Sequence, residues 1–310
     1  MSHNFEAYAS QKLSLQPLNG NTFYINTGLL GITAYKANEH DLILLDCGMG
    51  YSDCDAIIDL VDSLGMRVSS IIASHCHVDH IGSSERLKEK YGCKIYMPSL
   101  ESDACRYYEV LKSNFPYMSI DMVKKYFKTM HCQPDYEYPP EDLTLTVDGA
   151  EFKIIFTPGH SLANVCIITP DNVMHMGDTV IGRAEMAHNR LVYTFSIGMD
   201  IETKEKIRGI KCVKYVAVHN GVYDDIDSLL DENIAYLRKT AEMIYDLITE
   251  PMSVENLIES FYDTYGLGGR NMITCALIER SIRPYIEYLW DEGRLDCICE
   301  KGIVKYIHKN

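Results

Sequence analysis

The stretch His75-Cys-His-Val-Asp-His80 carries four potential metal ligands in six positions. It follows directly on an apolar run at residues 68–74, which predicts a buried strand that ends just before the first histidine. His75 and His77 are two residues apart, so in an extended segment their side chains point the same way. The turn that follows can bring the aspartate and the third histidine to a second point nearby. Because zinc and similar divalent ions prefer neutral imidazoles and carboxylates as ligands, the hexapeptide predicts a metal site at a strand end.

Strand-like and helix-like segments alternate through two halves of the chain. The first half holds predicted strands and helices in chain order at residues 21–27, 32–36, 42–46, 55–64 (helix), 68–74, 86–91 (helix) and 94–97. The second half repeats the alternation at residues 151–156, 163–168, 172–176, 201–207 (helix) and 213–218. Because a sheet must bury its apolar face, two strand-rich halves predict an α/β fold with two sheets packed between outer helices.

Residues 100–140 interrupt this alternation with helical stretches that carry eight aromatic side chains. An insertion of this size beside a metal loop can serve as a lid over a substrate or as the surface of a homodimer. Helices that simply pack on the core explain the same residues equally well. The sequence does not choose between these interpretations.

Composition and charge limit the location and the partners of the protein. The 310-residue chain has a formal charge of −15, which repels phosphate backbones, so a small-molecule substrate is expected rather than nucleic acid. No apolar stretch is long enough to span a membrane, and the N-terminal residues lack the pattern of a signal peptide. Eleven scattered cysteines, an odd number, indicate reduced thiols. We therefore expect a cytoplasmic protein without a membrane partner.

The C-terminal sixty residues differ in character from the rest. A long amphipathic helix over residues 224–249 precedes them. Three further helices and two strand-like pieces are then predicted at residues 253–262, 270–281, 284–292, 295–299 and 303–307. Three helices followed by a β-hairpin are the winged-helix pattern, so we predict two domains, residues 1–250 and 251–310. The tail holds seven Lys/Arg and nine Asp/Glu, which favours packing or dimerisation over DNA binding.

Three more residues of the ligand type follow predicted strands in the second half of the chain. They are His160 in the stretch TPGHS, Asp178 in the stretch MGDT, and His219 at the end of an apolar run. Each is a weak signal alone, but together they repeat the arrangement in which a strand ends and a ligand follows. Five histidines and two carboxylates are costly to bury together without a metal. These residues can therefore complete a dinuclear site.

The full set of motifs resembles the metallo-β-lactamase fold hydrolases, especially their glyoxalase II-like branch. The motifs are HxHxDH, TPGHS, GD and a histidine in an H-x-G loop, and they occur in order within about residues 20–225. The resemblance implies an αββα sandwich with the metals at the sheet edges. It implies that Asp178 bridges two ions held by His75, His77 and His160 on one side and by Asp79, His80 and His219 on the other. It also implies that Asp46 orients the metal loop without binding a metal itself.

The implied chemistry is hydrolysis by a dinuclear centre. Two divalent ions about 3.5–4 Å apart lower the pKa of a shared water towards neutrality, and the resulting hydroxide attacks an electrophilic carbonyl or phosphorus. Asp79 is the candidate catalytic residue, because it can manage the proton of the leaving group. Zinc is the expected metal, although iron and manganese suit the same ligands. We expect a small ester-like substrate, such as a thioester or a lactone.

Differences from other branches of the metallo-β-lactamase fold hydrolases narrow the range of expected activities. Zinc β-lactamases carry cysteine or serine where Asp178 stands, and the diiron–flavin reductases carry glutamate in place of His77. The tail also lacks a convincing match to the residues with which glyoxalase II holds glutathione. The alternatives that stay open are a nuclease or nucleic-acid-binding relative, which the winged-helix-like tail suggests, and a diiron redox or sensing protein.

The loop that follows Asp178 supplies the candidate substrate contacts. Family members often touch substrate at this position, and Arg183, His188 and Tyr193 are the residues suited to do so here. Each of them also suits an ordinary surface position.

Overall fold

The computed structural model describes residues 12–28, 30–50, 52–188, 191–219, 221–266 and 271–309. Residues 1–11, on which the signal-peptide expectation rests, lie outside these ranges. No helix within them combines the length and the apolar composition that a bilayer crossing needs.

The first sheet contains seven strands in the described part of the chain, and their spatial order follows the sequence. The strands are β1 (Gln16–Asn19), β2 (Thr22–Asn26), β3 (Gly31–Lys36), β4 (Asp41–Leu45), β5 (Arg67–Ile72), β6 (Lys94–Pro98) and β7 (Tyr136–Tyr138). The strands from β1 to β4 pair antiparallel, and those from β4 to β7 pair parallel. The parallel connections between β4 and β6 contain α1 (Ser52–Ser63), α2 (Val78–Ile81) and α3 (Ser84–Tyr91).

The second sheet has six strands among the described residues, in the order β13-β12-β11-β10-β9-β8. The strands are β8 (Leu143–Val147), β9 (Ala150–Phe156), β10 (Val165–Ile168), β11 (Val173–His175), β12 (Lys214–Ala217) and β13 (Gly221–Tyr223). Only the β11–β12 pair is parallel. The connection between β11 and β12 contains α7 (Arg183–His188) and α8 (Ile197–Arg208), and α9 (Asp227–Leu247) follows the sheet.

Side-chain alternation along β4 explains why the sheets stack. Leu42 and Leu44 point to one face and pack with residues of α1 and α3. Ile43 and Leu45 point to the other face and pack with a cluster that includes Phe152 of the second sheet. The outer face of the second sheet is covered by apolar residues of α8 and α9. The predicted αββα sandwich is confirmed.

The insertion at residues 100–140 contributes to the core as well as to the surface. It contains α4 (Ser99–Arg106), α5 (Tyr108–Ser113), α6 (Ile120–Tyr126), a 3₁₀ turn (Lys128–Met130) and strand β7, which adds an edge to the first sheet. Its buried residues, among them Leu111 and Phe115, join the cluster beneath the helices of the first sheet. The insertion is therefore packed on the sandwich.

The tail contains fewer helices than the sequence predicted. It consists of α10 (Val254–Tyr265), α11 (Met272–Asp291) and a hairpin of β14 (Leu295–Glu300) and β15 (Ile303–His308). The separate helices predicted at 270–281 and 284–292 are wrong, because α11 runs through Pro284; residue 270 lies outside the described residues. Proline removes one backbone bond, to the carbonyl of Arg280. The burial of Ile282 and Tyr285 in a cluster shared with α9 outweighs that loss.

Candidate metal centre

All seven predicted ligands lie near one edge of the sandwich, in segments that follow strands. The contributing segments are the β5–α2 loop with His75 and His77, helix α2 with Asp79 and His80, and the loops after β9, β11 and β12 with His160, Asp178 and His219. They form two groups that share Asp178, and within each group the ligand atoms lie within 4.8 Å of one another. The hydrogen-bonded strands thus hold the loops that bring together residues as distant in sequence as 75 and 219.

The first group consists of three imidazoles and one carboxylate oxygen. His77 Nδ1 lies 2.9 Å from His75 Nε2 and 2.9 Å from His160 Nε2. His160 Nε2 also lies 3.3 Å from Asp178 Oδ2. Because the ring nitrogens converge on one another, they form a pocket of lone pairs that a cation can fill.

The second group surrounds the other oxygen of the same aspartate. Asp178 Oδ1 lies 3.1 Å from His80 Nε2 and 3.4 Å from His219 Nε2. Asp79 Oδ2 lies 3.3 Å from His219 Nε2 and 3.8 Å from His80 Nε2. Asp178 therefore faces one group with each of its oxygens, as a bridging ligand must.

The two groups differ in their electrostatics. Burial lowers the pKa values of His75 and His77 well below the usual range and the pKa of His160 to about 4. Burial also disfavours the charged form of His219, but the carboxylates of Asp178 and Asp79 outweigh it and raise its pKa to about 10. Without a bound ion, the three imidazoles of the first group are therefore neutral at pH 7, whereas His219 carries a proton.

The pKa of His80 follows the same pattern as that of His219. Burial alone would lower it, but the carboxylates of Asp178, Asp46 and Asp79 hold it well above the usual range. The Nε2 atom of His80 and the Oδ1 atom of Asp178 lie 3.1 Å apart and are buried, but neither makes a hydrogen bond of good geometry. A cation beside both atoms would satisfy them better than they satisfy each other. The donor set and these two atoms fit a pair of divalent ions.

Metal loading should release protons, because imidazole binds a metal only in its deprotonated form. At pH 7 we expect about two protons per chain, from His80 and His219, whose pKa values are raised. Calorimetric titration of zinc into metal-free protein, in buffers of different ionisation enthalpy, measures this number. A titration of already loaded protein supplies the blank. Release of less than half a proton per chain would contradict the protonation state described for the second group.

Asp46 holds the metal loop in place from beneath. Its carboxylate accepts hydrogen bonds from Ser74 N at 2.7 Å and from Ser74 Oγ at 2.8 Å. It also lies 2.7 Å from His80 Nδ1 and 2.9 Å from His175 Nε2. The bond to Nδ1 leaves His80 Nε2 directed at Asp178. Asp46 is 1% exposed and has a φ of 61°, an uncommon value for a residue other than glycine.

Two buried residues that sequence reasoning missed support the same loops. His175 contacts Asp46, and its Nδ1 lies 3.0 Å from Thr33 Oγ1. His175 could have been recognised from the sequence, because it is a histidine inside the apolar strand that precedes Asp178. Glu101 accepts hydrogen bonds from Ser161 Oγ and Ala163 N, each at 2.7 Å, and from Cys76 N at 3.3 Å. Glu101 thereby links the two loops that carry the histidines of the first group. The residues around it in the sequence give no indication of this role.

The loop that carries His160 requires a glycine. Gly159 has a φ of 133°, and a Cβ atom there would lie 2.4 Å from the Cα atom of Asp200 in α8. The hydroxyl of Thr203, also in α8, donates to the carbonyl of Pro158 at 2.7 Å. The helix therefore fixes the turn that presents His160.

A cavity of about 460 Å³ opens above the first group. Its polar lining includes His77, Asp79, His160, Asp178 and His219. Its apolar lining comes from three regions, namely the insertion, the segment after β11, and α11, through residues that include Leu111, Phe115, Phe127, Met130, Val180, Ile181, Phe195 and Leu277. The site is thus a mostly apolar chamber with the metal ligands at its base.

Of the three predicted substrate contacts, one lies at the cavity and two lie elsewhere. Tyr193 lines the cavity, and its ring lies edge-on to His77, with ring centroids 5.4 Å apart. Arg183 lies on α7, where its guanidinium donates to Glu232 at 2.7 Å. His188 ends the same helix, with Nδ1 2.7 Å from the carbonyl oxygen of Ala184. Neither Arg183 nor His188 is among the residues that line this cavity in the described structure.

Comparison with known proteins places this geometry in a family. The family model described as "Metallo-beta-lactamase superfamily" matches residues 20–219, well over half of the chain. A hydroxyacylglutathione hydrolase, GloC of Haemophilus influenzae, is 24% identical over 173 residues, which cover 52% of this chain and 76% of GloC. The atrochrysone carboxyl ACP thioesterase AacuM of Aspergillus aculeatus is 23% identical over 228 residues, which cover 72% of this chain and 57% of AacuM. The chain spans about half the length of further curated relatives that it matches.

Solved structures agree with this assignment at the level of the fold. The metallo-β-lactamase family protein TTHA1429 from Thermus thermophilus superposes with a TM-score of 0.69 and 17% sequence identity. The match covers 96% of this chain and 99% of TTHA1429, so it includes the tail. The chain belongs to the metallo-β-lactamase superfamily.

Proposed function

We propose that the protein is a dinuclear metal-dependent hydrolase that cleaves a thioester with an apolar acyl group. The observation that carries this proposal is the position of Asp178 between two ligand groups at the base of a largely apolar cavity. The names of GloC and AacuM describe a hydroxyacylglutathione hydrolase and an acyl carrier protein thioesterase, and both support a thioester as the substrate.

The ligand groups assign the residues that would hold two ions. His75, His77 and His160 would hold one, Asp79, His80 and His219 the other, and Asp178 both. When bound, two divalent ions supply an activated water and polarise the carbonyl group of the substrate. The chain itself provides the orientation: Asp46 fixes the ring of His80, and Glu101 fixes the loops that carry His77 and His160.

The protonation of the cavity favours a leaving group that departs without a proton. In the metal-free chain, burial would raise the pKa of Asp79, but His80 and His219 outweigh it and hold the pKa below the usual range. In the loaded protein Asp79 would be ionised because a carboxylate binds a metal in its deprotonated form. Asp79 is therefore a poor proton donor in either state. Thiols have a pKa near 8.5, so a thiolate leaves unprotonated far more easily than an alkoxide. This comparison favours thioesters over oxygen esters and amides.

The cavity walls suit an apolar acyl group. Leu111, Phe115 and Phe127 of the insertion line the same cavity as the metal ligands, as does Phe195 of the segment after β11. Burial raises the pKa of Tyr193, so its hydroxyl keeps its proton at neutral pH and can donate to an oxygen of the substrate. These contacts would exclude bulk water and hold the acyl chain beside the ligands.

A substrate panel tests the proposal. Zinc-loaded protein is assayed on a thioester, an oxygen ester and a lactone with the same acyl group, and on a phosphodiester. We expect the thioester to have a kcat/KM at least about 10-fold above that of the oxygen ester. A chelator should abolish the activity, and added zinc should restore it. Absence of turnover on all of the esters would refute the proposal, and turnover of the phosphodiester alone would favour the nuclease alternative.

A further inference from the structure

Arg280 of α11 places a guanidinium group in the same cavity, next to a ligand of the first group. Its Nη2 atom donates to the hydroxyl of Tyr193 at 2.6 Å, and its Cζ atom lies 3.7 Å from the centroid of the Tyr193 ring. The ring of Phe115 lies on the guanidinium as well, with its centroid 5.1 Å from Cζ. Two aromatic rings therefore hold the guanidinium in one orientation before any ligand binds.

No carboxylate in the described part of the chain neutralises the positive charge of Arg280. Within the described ranges, Arg280 makes no ion pair with an aspartate or a glutamate. The nearby carboxylate of Glu101 already accepts hydrogen bonds from Ser161 and Ala163. A half-buried guanidinium in an apolar cavity is stabilised when an anion pairs with it. The arginine is thus available to a ligand from outside the chain.

The orientation of His77 brings a second donor to the same place. Its Nδ1 atom faces the other two imidazoles of the first group, so the proton of the neutral ring is on Nε2 when Nδ1 serves as the ligand atom. Nε2 lies 3.5 Å from Arg280 Nη2, which is also a donor. In the metal-bound state both atoms would therefore be donors, and neither could accept a hydrogen bond from the other. An oxygen atom of an anion beside both nitrogens would accept from both.

We propose that Arg280 and the Nε2–H group of His77 form a subsite that binds a carboxylate of the substrate. The substrate would then be an acyl thioester with an apolar body and a free carboxylate close to the reacting carbonyl, because only the imidazole ring of His77 lies between the subsite and the ligand atom Nδ1. This inference rests on the proposed hydrolase function for the identity of the reacting bond. The planar, two-pronged guanidinium is suited to a carboxylate in particular.

Binding of non-hydrolysable analogues tests the subsite directly. Two thioether analogues with the same acyl body are compared by calorimetry on the zinc-loaded protein, one with the free carboxylate and one with the neutral carboxamide in its place. We expect the carboxylate to bind about 10- to 100-fold more tightly, the range of a charge-assisted hydrogen-bond pair. Arg280→Met should remove this preference, and Arg280→Lys should restore part of it.

Arg283→Met is the matched control, because Arg283 lies one turn further along α11 and pairs with Glu279. The control should keep the preference for the carboxylate. Equal affinities of the two analogues for the wild-type protein, or a preference that survives in Arg280→Met, would overturn the proposal. A third result would also overturn it. If Arg280→Met weakened binding of the acid that hydrolysis produces but not binding of the carboxylate analogue, the arginine would recognise the product and not the substrate.

The two proposals can fail separately. If the protein binds the carboxylate analogue preferentially but hydrolyses no thioester, the proposed reaction is wrong and the subsite stands. If it hydrolyses thioesters but shows no carboxylate preference, the reaction stands and the subsite is wrong. Metal content of Arg280→Met, expected to equal that of the wild type, separates loss of the anion contact from loss of the metal centre.

Discussion

Replacing Asp178 with asparagine should lower thioester turnover on the order of 1000-fold. Asp178 Oδ2 faces His160 and Asp178 Oδ1 faces His80 and His219, so one carboxylate serves both ligand groups. An amide has the same shape, but it is neutral and offers one oxygen in place of two. The repulsion between the two ions would then lose its main compensation. The measurements are kcat on the best thioester and bound metal per chain.

Asp59→Asn provides the control for this change, because Asp59 is exposed on α1 and belongs neither to the ligand groups nor to the lining of the cavity. It should keep wild-type turnover and metal content. Retention of both ions and of more than a tenth of the wild-type kcat by Asp178→Asn would show that the bridging position of Asp178 is not needed.

Replacing Asp46 with alanine should lower the free energy of unfolding by about 3–5 kcal/mol. The change leaves Ser74 N, His80 Nδ1 and His175 Nε2 without their acceptor in a fully buried position. Burial would raise the pKa of Asp46, but the neighbouring histidines hold it well below the usual range, so the native carboxylate is charged at neutral pH. Urea denaturation of the metal-free protein measures the loss.

Asp46→Asn separates the charge from the shape. The amide keeps one acceptor oxygen for the loop, so we expect a smaller loss of stability than for alanine and a metal affinity about 10- to 100-fold below that of the wild type. A loss below about 1 kcal/mol for Asp46→Ala would mean that the metal loop does not depend on the carboxylate.

The ligand set was predictable because each ligand follows an apolar strand, and strand ends are visible in a sequence. His75, His160, Asp178 and His219 each come within a few residues of such an end, and the structure brings all of them together. The two strand-rich halves of the chain made the sandwich predictable as well, and the structure shows that both faces of β4 are buried in it. Short edge strands such as β7 and β13 were missed, because three residues carry too little periodicity.

The upper part of the cavity could not be predicted in the same way. Helical spacing shows that α11 has an apolar face, but it does not show which part of the protein that face packs against. Arg280 was therefore not assigned to the site. Pro284 led to a wrong helix boundary, because a local rule about proline was outweighed by burial on both sides of it. Arg183 and Arg280 look alike in the sequence, and only the three-dimensional structure shows that one pairs with Glu232 and the other faces His77.

The dinuclear centre is tested most directly by a zinc titration of the metal-free protein, with bound zinc per chain and thioester turnover measured on the same samples. We predict that binding saturates at two ions per chain and that turnover rises with occupancy and is lost when a chelator removes the metal. Saturation at one ion or fewer, or turnover that is the same with and without zinc, would contradict the proposed dinuclear hydrolase.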